Sequence, residues 1–245
     1  ITVKEAMDLF LIRHGESSNN ALADVSLRVA DPELTEKGRD QIEYAAEYIG
    51  KGLHLYPEER EEGQPGLDRL YCSAMIRAMH TAEPIGRALG MAPEIWVDIH
   101  ETGGIFLDHG GERGKVGSRG QTRAEITERF PETVVPATVS EDGWWNKNME
   151  EWYEGQGRAI AVAADLLARA GEHGRIGLVT HGNFMSLLIQ ALGNQLPGGS
   201  EIYEHDNTAI TRIAFEPQNK ILVEYINRIE HLPDGLRMPR RLPVV

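Results

Sequence analysis

Leu9-Phe10-Leu11-Ile12-Arg13-His14-Gly15-Glu16-Ser17-Ser18-Asn19-Asn20 is the most informative stretch of the chain. Consecutive apolar residues run straight into a guanidinium, an imidazole and a glycine, and then into small polar residues. An unbroken apolar run of this length predicts a strand buried on both faces of a sheet. Open α/β sheets bind ligands beyond the carboxyl ends of their strands, which is where Arg13 and His14 fall. The construction recurs downstream in Leu178-Val179-Thr180-His181-Gly182-Asn183, again an apolar strand, a His-Gly pair and the opening of a helix.

Working outward, apolar runs at Leu67 to Tyr71, Glu94 to Val97, Ile176 to Thr180, Ala209 to Phe215 and Ile221 to Ile226 predict further strands. Helix-length segments lie between them: Thr35, as N-cap, to Ile49; Ser73, as N-cap, to Leu89; Trp145 to Ala170; and Phe184 to Leu192, closed by Gly193. The alternation predicts an α/β three-layer sandwich with a mostly parallel central sheet and helices on both faces. Residues 103–148, rich in Gly, Arg, Glu and Pro, break the rhythm. They read as a lid-like insertion over the sheet, with one short helix from Thr122 to Phe130, inside a single domain spanning 1–245. Residues 1–6, ahead of Met7, read as an extension or vector-derived segment.

Composition narrows the partners. Among 245 residues, 25 Lys and Arg face 38 Asp and Glu, a formal net charge of −13 that repels nucleic acid and acidic membrane surfaces. Any phosphate must be caught by a local cluster of positive charge. No apolar stretch approaches the roughly 18 residues of a membrane span. One cysteine, Cys72, cannot form an internal disulfide, and no basic, apolar leader opens the sequence, so a cytoplasmic setting is expected. Oligomeric state is not encoded in any motif, and a homo-oligomer stays open.

Four predicted strand ends carry chemistry. Besides Arg13-His14 and His181, the strand at 67–71 leads through Cys72 into Ser73-Ala74-Met75-Ile76-Arg77, and the strand at 94–97 into Asp98-Ile99-His100-Glu101. Arg13, His14, Arg77, Glu101 and His181 would then share one sheet edge, as an anion site requires. Counting removes the competitors. A tyrosine-phosphatase loop needs Arg six positions after Cys, where Ala78 stands. Gly114-Lys115 lacks the remainder of a nucleotide P-loop, no Gly-x-Gly-x-x-Gly exists, and His100-Glu101 is followed by Gly104 where a zinc helix needs His. No metal and no cofactor are called for.

The ordered set Arg13-His14-Gly15-Glu16-Ser17 with Asn20, Asp31-Pro32-Glu33-Leu34-Thr35-Glu36-Lys37-Gly38, Ser73-Ala74-Met75-Ile76-Arg77-Ala78 with Thr81-Ala82, Glu101, Thr180-His181-Gly182-Asn183 and Asn207-Thr208-Ala209-Ile210 resembles the histidine phosphatase superfamily, in its phosphoglycerate mutase-like branch. The resemblance spans about residues 7–228 and implies metal-free phosphoryl transfer through a phosphohistidine. On that reading His14 is the nucleophile and attacks as neutral imidazole. Arg13, Arg77 and His181 hold the phosphoryl oxygens, with Asn20, Ser17 and Asn183 as further phosphate ligands. Glu101 protonates the leaving alkoxide and later activates water.

The expected activity is hydrolysis of small phosphate monoesters, the partner being a small phosphorylated metabolite. Two alternatives are a phosphoglycerate mutase, from which Thr102-Gly103-Gly104-Ile105-Phe106 after Glu101 departs, and a non-catalytic phospholigand-binding protein. Arg113 and Arg119, in a basic cluster of the insertion, read either as solvated charges or as contacts to a second phosphate or carboxylate of the substrate.

Overall fold

The structure is a computed structural model and describes residues 7–61, 63–170, 174–195, 202–217 and 220–239. Its central sheet is built from β1 (Met7–Arg13), β2 (Arg69–Cys72), β3 (Glu94–Ile95), β6 (Gly174–Thr180), β7 (Ile210–Glu216) and β8 (Lys220–Arg228), in the order β3-β2-β6-β1-β7-β8. A hairpin, β4 (Phe106–Asp108) with β5 (Lys115–Gly117), stands apart. The pairings from β3 through β1 are parallel, while β1–β7 and β7–β8 are antiparallel. Mostly parallel pairing is thus as the apolar pattern predicts.

β1 shows why the run from Met7 is continuously apolar. Phe10 and Ile12 pack on one face with α2 (Glu36–Gly50) and α3 (Ile76–Leu89). Met7, Leu9 and Leu11 pack on the other with α5 (Trp152–Arg169) and α6 (Gly182–Leu192). Alternate side chains therefore feed two cores, and helices on both faces complete three layers. Thr35 caps α2 as predicted, its Oγ1 accepting from the Gly38 amide at 2.9 Å. Gly38 is required there, because a Cβ would lie 2.1 Å from the carbonyl oxygen of Glu16. That contact seats the loop after β1 directly on the helix.

Two helix starts differ from expectation. α3 begins at Ile76 and its N-cap is Met75; Ser73 lies two residues earlier, its Oγ accepting from the Met75 amide at 3.2 Å and lying 2.9 Å from Nε2 of His181. α5 begins at Trp152, seven residues after Trp145, because Trp144 and Trp145 are core residues that anchor the inserted segment. With them Ile105, Ile126, Phe130 and Val139 join the same core as Phe10 and Met79. Most of the 103–148 segment, including α4 (Arg123–Arg129), is therefore packed structure rather than a loose flap. A one-turn helix, α1 (Ser18–Ala21), follows the His14 loop. Among the described residues no helix is long and apolar enough to cross a membrane.

Candidate active site

Register places the chemistry. Arg13 is the Cα partner of Thr180 across β1–β6, so the residues that follow, His14 and His181, emerge side by side. Their ring centroids are 5.0 Å apart. Ser73, beyond β2, is held in the same row by its amide, which donates to the Val179 carbonyl at 3.0 Å. Above them opens a cavity of about 910 Å³ whose lining includes Arg13, His14, Ser17, Asn20, Arg77, Glu101 and Asn183. His181 is fully buried beside His14 rather than on that wall.

The tautomer of His14 follows from its partners. Nδ1 lies 2.6 Å from the Gly15 carbonyl oxygen, an acceptor only, so Nδ1 carries the proton. Nε2 keeps its lone pair and accepts from Nε–H of Arg77 at 3.1 Å. Burial holds the pKa of His14 well below 6.5, and the Arg77 and Arg13 charges push it the same way. His14 thus presents a neutral imidazole whose Nε2 lone pair is oriented by its partners.

The guanidiniums are costly to bury and are compensated. Burial lowers the pKa of Arg77, opposed by Asp31 and Glu101. Asp31 Oδ1 lies 3.5 Å from Arg77 Nη1, and its carboxyl also takes the Ile76 amide at 3.3 Å. Burial raises the Asp31 carboxyl to about 6. Arg13 donates through Nη1 to the His205 carbonyl at 2.5 Å. Its Nε and the Nδ1 of His181 are buried without a hydrogen-bond partner among the described residues. The Arg13 Nε–H is thereby left to donate to an anionic oxygen. Burial also lowers His181 well below 6.5, followed by the charge of Arg77.

Glu101 reaches the site from the turn Val97–Ile99, not from a long strand; β3 is only Glu94–Ile95. Its Oε1 accepts from the amides of Thr102 at 2.9 Å and Phe184 at 3.1 Å, and its Oε2 from that of Asn183 at 3.4 Å. Asn183 thus acts through its backbone at the amino end of α6, while its side chain is exposed at the cavity lip. Asn20 commits Oδ1 to the Ser17 amide and hydroxyl at 3.1 and 3.0 Å, which leaves its NH2 to donate into the cavity.

Arg113 and Arg119 are not brought to this site. Arg113 is exposed in the β4–β5 turn, and Arg119 forms an exposed pair with Glu125, 2.7 Å from Nη2 to Oε1, beside a separate depression. Of the inserted segment only Gly104 and Phe106 line the cavity. Cys72 is fully buried, and burial pushes its thiol pKa up, as a packed rather than nucleophilic sulfur requires.

Thr81 and Asn207 belong to motifs quoted from the sequence but carry no role there, and Glu150 and Arg158 are not marked at all. Thr81 Oγ1 accepts from the Gly15 amide at 3.1 Å and donates to the Arg77 carbonyl at 2.7 Å, tying the His14 loop to α3. Asn207 donates to the His14 carbonyl at 3.0 Å. A buried ion pair, Arg158 with Glu150 at 2.6 Å, braces the Glu101 segment, since Arg158 Nη1 also donates to the carbonyls of Asp98 and His100 at 2.7 and 2.9 Å. A polar residue one helical turn after Arg77 was the available signal for Thr81; nothing local marks the ion pair.

The chain is an α/β phosphoric monoester hydrolase whose sheet, covered on both faces, holds paired imidazoles beside Arg13 and Arg77 at its strand tips. The model of the histidine phosphatase superfamily (branch 1) matches residues 9–228, and the chain belongs to that superfamily. A phosphoserine phosphatase of Entamoeba histolytica, solved with phosphoserine, superposes with a TM-score of 0.59 at 22% identity, over 93% of this chain and 100% of that one. A mycobacterial glucosyl-3-phosphoglycerate phosphatase, solved with VO3, gives 0.57 at 21% identity, over 90% and 98%. At these identities the likeness is one of fold. A PE-PGRS family protein of Mycobacterium tuberculosis is 30% identical over 99 residues, 40% of this chain, which spans 15% of that relative's length.

Proposed function

We propose that this chain hydrolyses small phosphate monoesters without a metal, through a phosphohistidine on Nε2 of His14. The observation that carries the reading is the His14 geometry: Nδ1 locked by the Gly15 carbonyl and Nε2 turned toward Arg77. In the first step Nε2 attacks phosphorus, the bond from phosphorus to the ester oxygen breaks, and Glu101 gives that oxygen its proton. Arg13, Arg77, His181 and the Asn20 amide carry the charge on the equatorial oxygens. In the second step Glu101 takes a proton from water, whose oxygen attacks phosphorus and frees His14 and inorganic phosphate.

For the first step Arg77 must transfer its Nε–H from Nε2 to a phosphoryl oxygen, so substrate itself unmasks the nucleophile. The fold neighbours named phosphoserine phosphatase and glucosyl-3-phosphoglycerate phosphatase support a small phosphorylated metabolite as partner. The buried, unpaired Cys72 supports a reducing compartment such as the cytoplasm. The test is a phosphomonoester panel with and without chelator, together with labelling quenched in alkaline detergent. Turnover that survives chelation, with an acid-labile, base-stable label lost in His14→Ala, is expected. Activity abolished by chelation, or a label retained in His14→Ala, overturns the reading.

A further inference from the structure

The cavity is much larger than a phosphoryl group needs. At about 910 Å³ it falls near the top of the roughly 300–1,000 Å³ that whole ligands occupy, so part of its wall faces the alcohol. Among the described lining residues the fixed cations are Arg13, Arg77 and Arg28. Asp31 balances Arg77 at 3.5 Å, and Arg13 is tied to the His205 carbonyl.

Arg28 is different. It is exposed on the cavity wall, and among the described residues no carboxylate pairs with it. Its charge still reaches Arg77 and lowers that group's pKa, an unfavourable proximity of like charges. Hydrogen bonds order the backbone of the loop that carries it. Asn19 exchanges two hydrogen bonds with the backbone of Val29, at 2.8 and 3.0 Å, and the Asp24 carboxylate caps the turn Val25–Leu27 through the Ser26 amide at 2.9 Å. An exposed guanidinium on the cavity wall, with no carboxylate among the described residues to compete for it, is available to an anionic group of a ligand.

We propose that Arg28 is a specificity-determining residue that binds a carboxylate on the alcohol portion of the substrate. The preferred substrates are then phosphomonoesters carrying a carboxylate a few bonds from phosphorus. A planar guanidinium fork suits a carboxylate. A second phosphate dianion would have only this one additional cation, with Glu204 and Asp206 on the same cavity lining. The inference rests on the phosphatase reading and gives Arg28 the contact that the sequence suggested for Arg113 and Arg119.

The test uses non-hydrolysable probes, so that turnover is not needed. Dissociation constants of 3-phosphonopropionate and 4-phosphonobutyrate are compared by calorimetry with those of propylphosphonate and butylphosphonate, which lack the carboxylate. The better carboxylate probe should bind about tenfold tighter than its partner in the native protein. That ratio should collapse toward one in Arg28→Gln and be kept in part in Arg28→Lys. A native ratio at or below one, or a ratio that Arg28→Gln leaves intact, overturns the proposal. If none of the four probes binds, the phosphoryl cradle fails as well; if all four bind equally, only the role of Arg28 fails.

Discussion

Arg77 Nε donates to His14 Nε2 across 3.1 Å, so the atom assigned to attack phosphorus is held by the group assigned to bind it. This contact and burial explain the lowered pKa of His14, and they set an expectation for pH dependence. Because the folded imidazole stays neutral well below 6.5, kcat/KM should not fall by half as pH drops through 6.5 on account of His14. In Arg77→Gln one lowering charge is gone, so the pKa of His14 rises and the acid limb of kcat/KM should move to higher pH. The same variant should lose about 100-fold or more in kcat/KM through the missing phosphoryl contact. Proton titration of the His14 ring by NMR checks the shift independently; an unmoved ring refutes the electrostatic account.

Glu101→Gln separates proton donation from phosphoryl binding. An alkyl phosphate needs its leaving oxygen protonated, and kcat/KM should fall about 10²–10⁴-fold. A nitrophenyl phosphate leaves as a stable anion, so its first step should be much less impaired. Slow water attack should then appear as a burst of nitrophenol followed by a low steady rate. Equal losses for both substrates would assign Glu101 to substrate positioning.

Much of this site was legible because strand ends are local features. Arg13, His14 and His181 follow apolar strands that a sheet must align, and the β1–β6 register delivers the two histidines together. What was not legible depends on packing across the chain. The Trp144–Trp145 pair reads as a helix start in sequence but fills the core beneath the insertion, which delays α5 to Trp152. Ser73 reads as a cap, but the helix starts only at Ile76, and the Ser73 hydroxyl serves the turn before it, between the Met75 amide and His181. Arg113 and Arg119 read either as solvated charges or as substrate contacts, because charge carries no direction for an exposed loop; both stand away from the cavity.

The Glu150–Arg158 pair should matter for stability and for rate. Both side chains are nearly buried, and Arg158 also satisfies the carbonyls on either side of Ile99. Glu150→Ala leaves a buried guanidinium unmatched, at a cost of about 3–5 kcal/mol. The thermal midpoint should drop accordingly. Among molecules that remain folded, kcat should fall while vanadate affinity holds, because Glu101 is displaced and the phosphoryl cradle is not. Wild-type kcat in a folded Glu150→Ala protein would show that the brace does not reach the acid.

Stability itself should fall with acidification. Burial pushes His54, His205 and His231 down to about 4 and His100 to about 3. In the unfolded chain each takes up a proton near 6.5, so between 6.5 and about 4 the unfolded state binds more protons and folding weakens as pH drops. Asp31 works oppositely: raised to about 6, it holds a proton in the folded state that the unfolded chain releases near 3.8, and so adds stability as pH falls through 6. One carboxyl cannot offset these imidazoles, each costing on the order of 1–2 kcal/mol by pH 5. The urea midpoint should therefore be clearly lower at pH 5 than at pH 7.5. His231→Asn, which removes one neutral imidazole bonded to Thr208 Oγ1 at 3.1 Å, should make that decline shallower even if it lowers stability at pH 7.5. A midpoint independent of pH across this window would mean that the buried histidines are protonated in the folded protein.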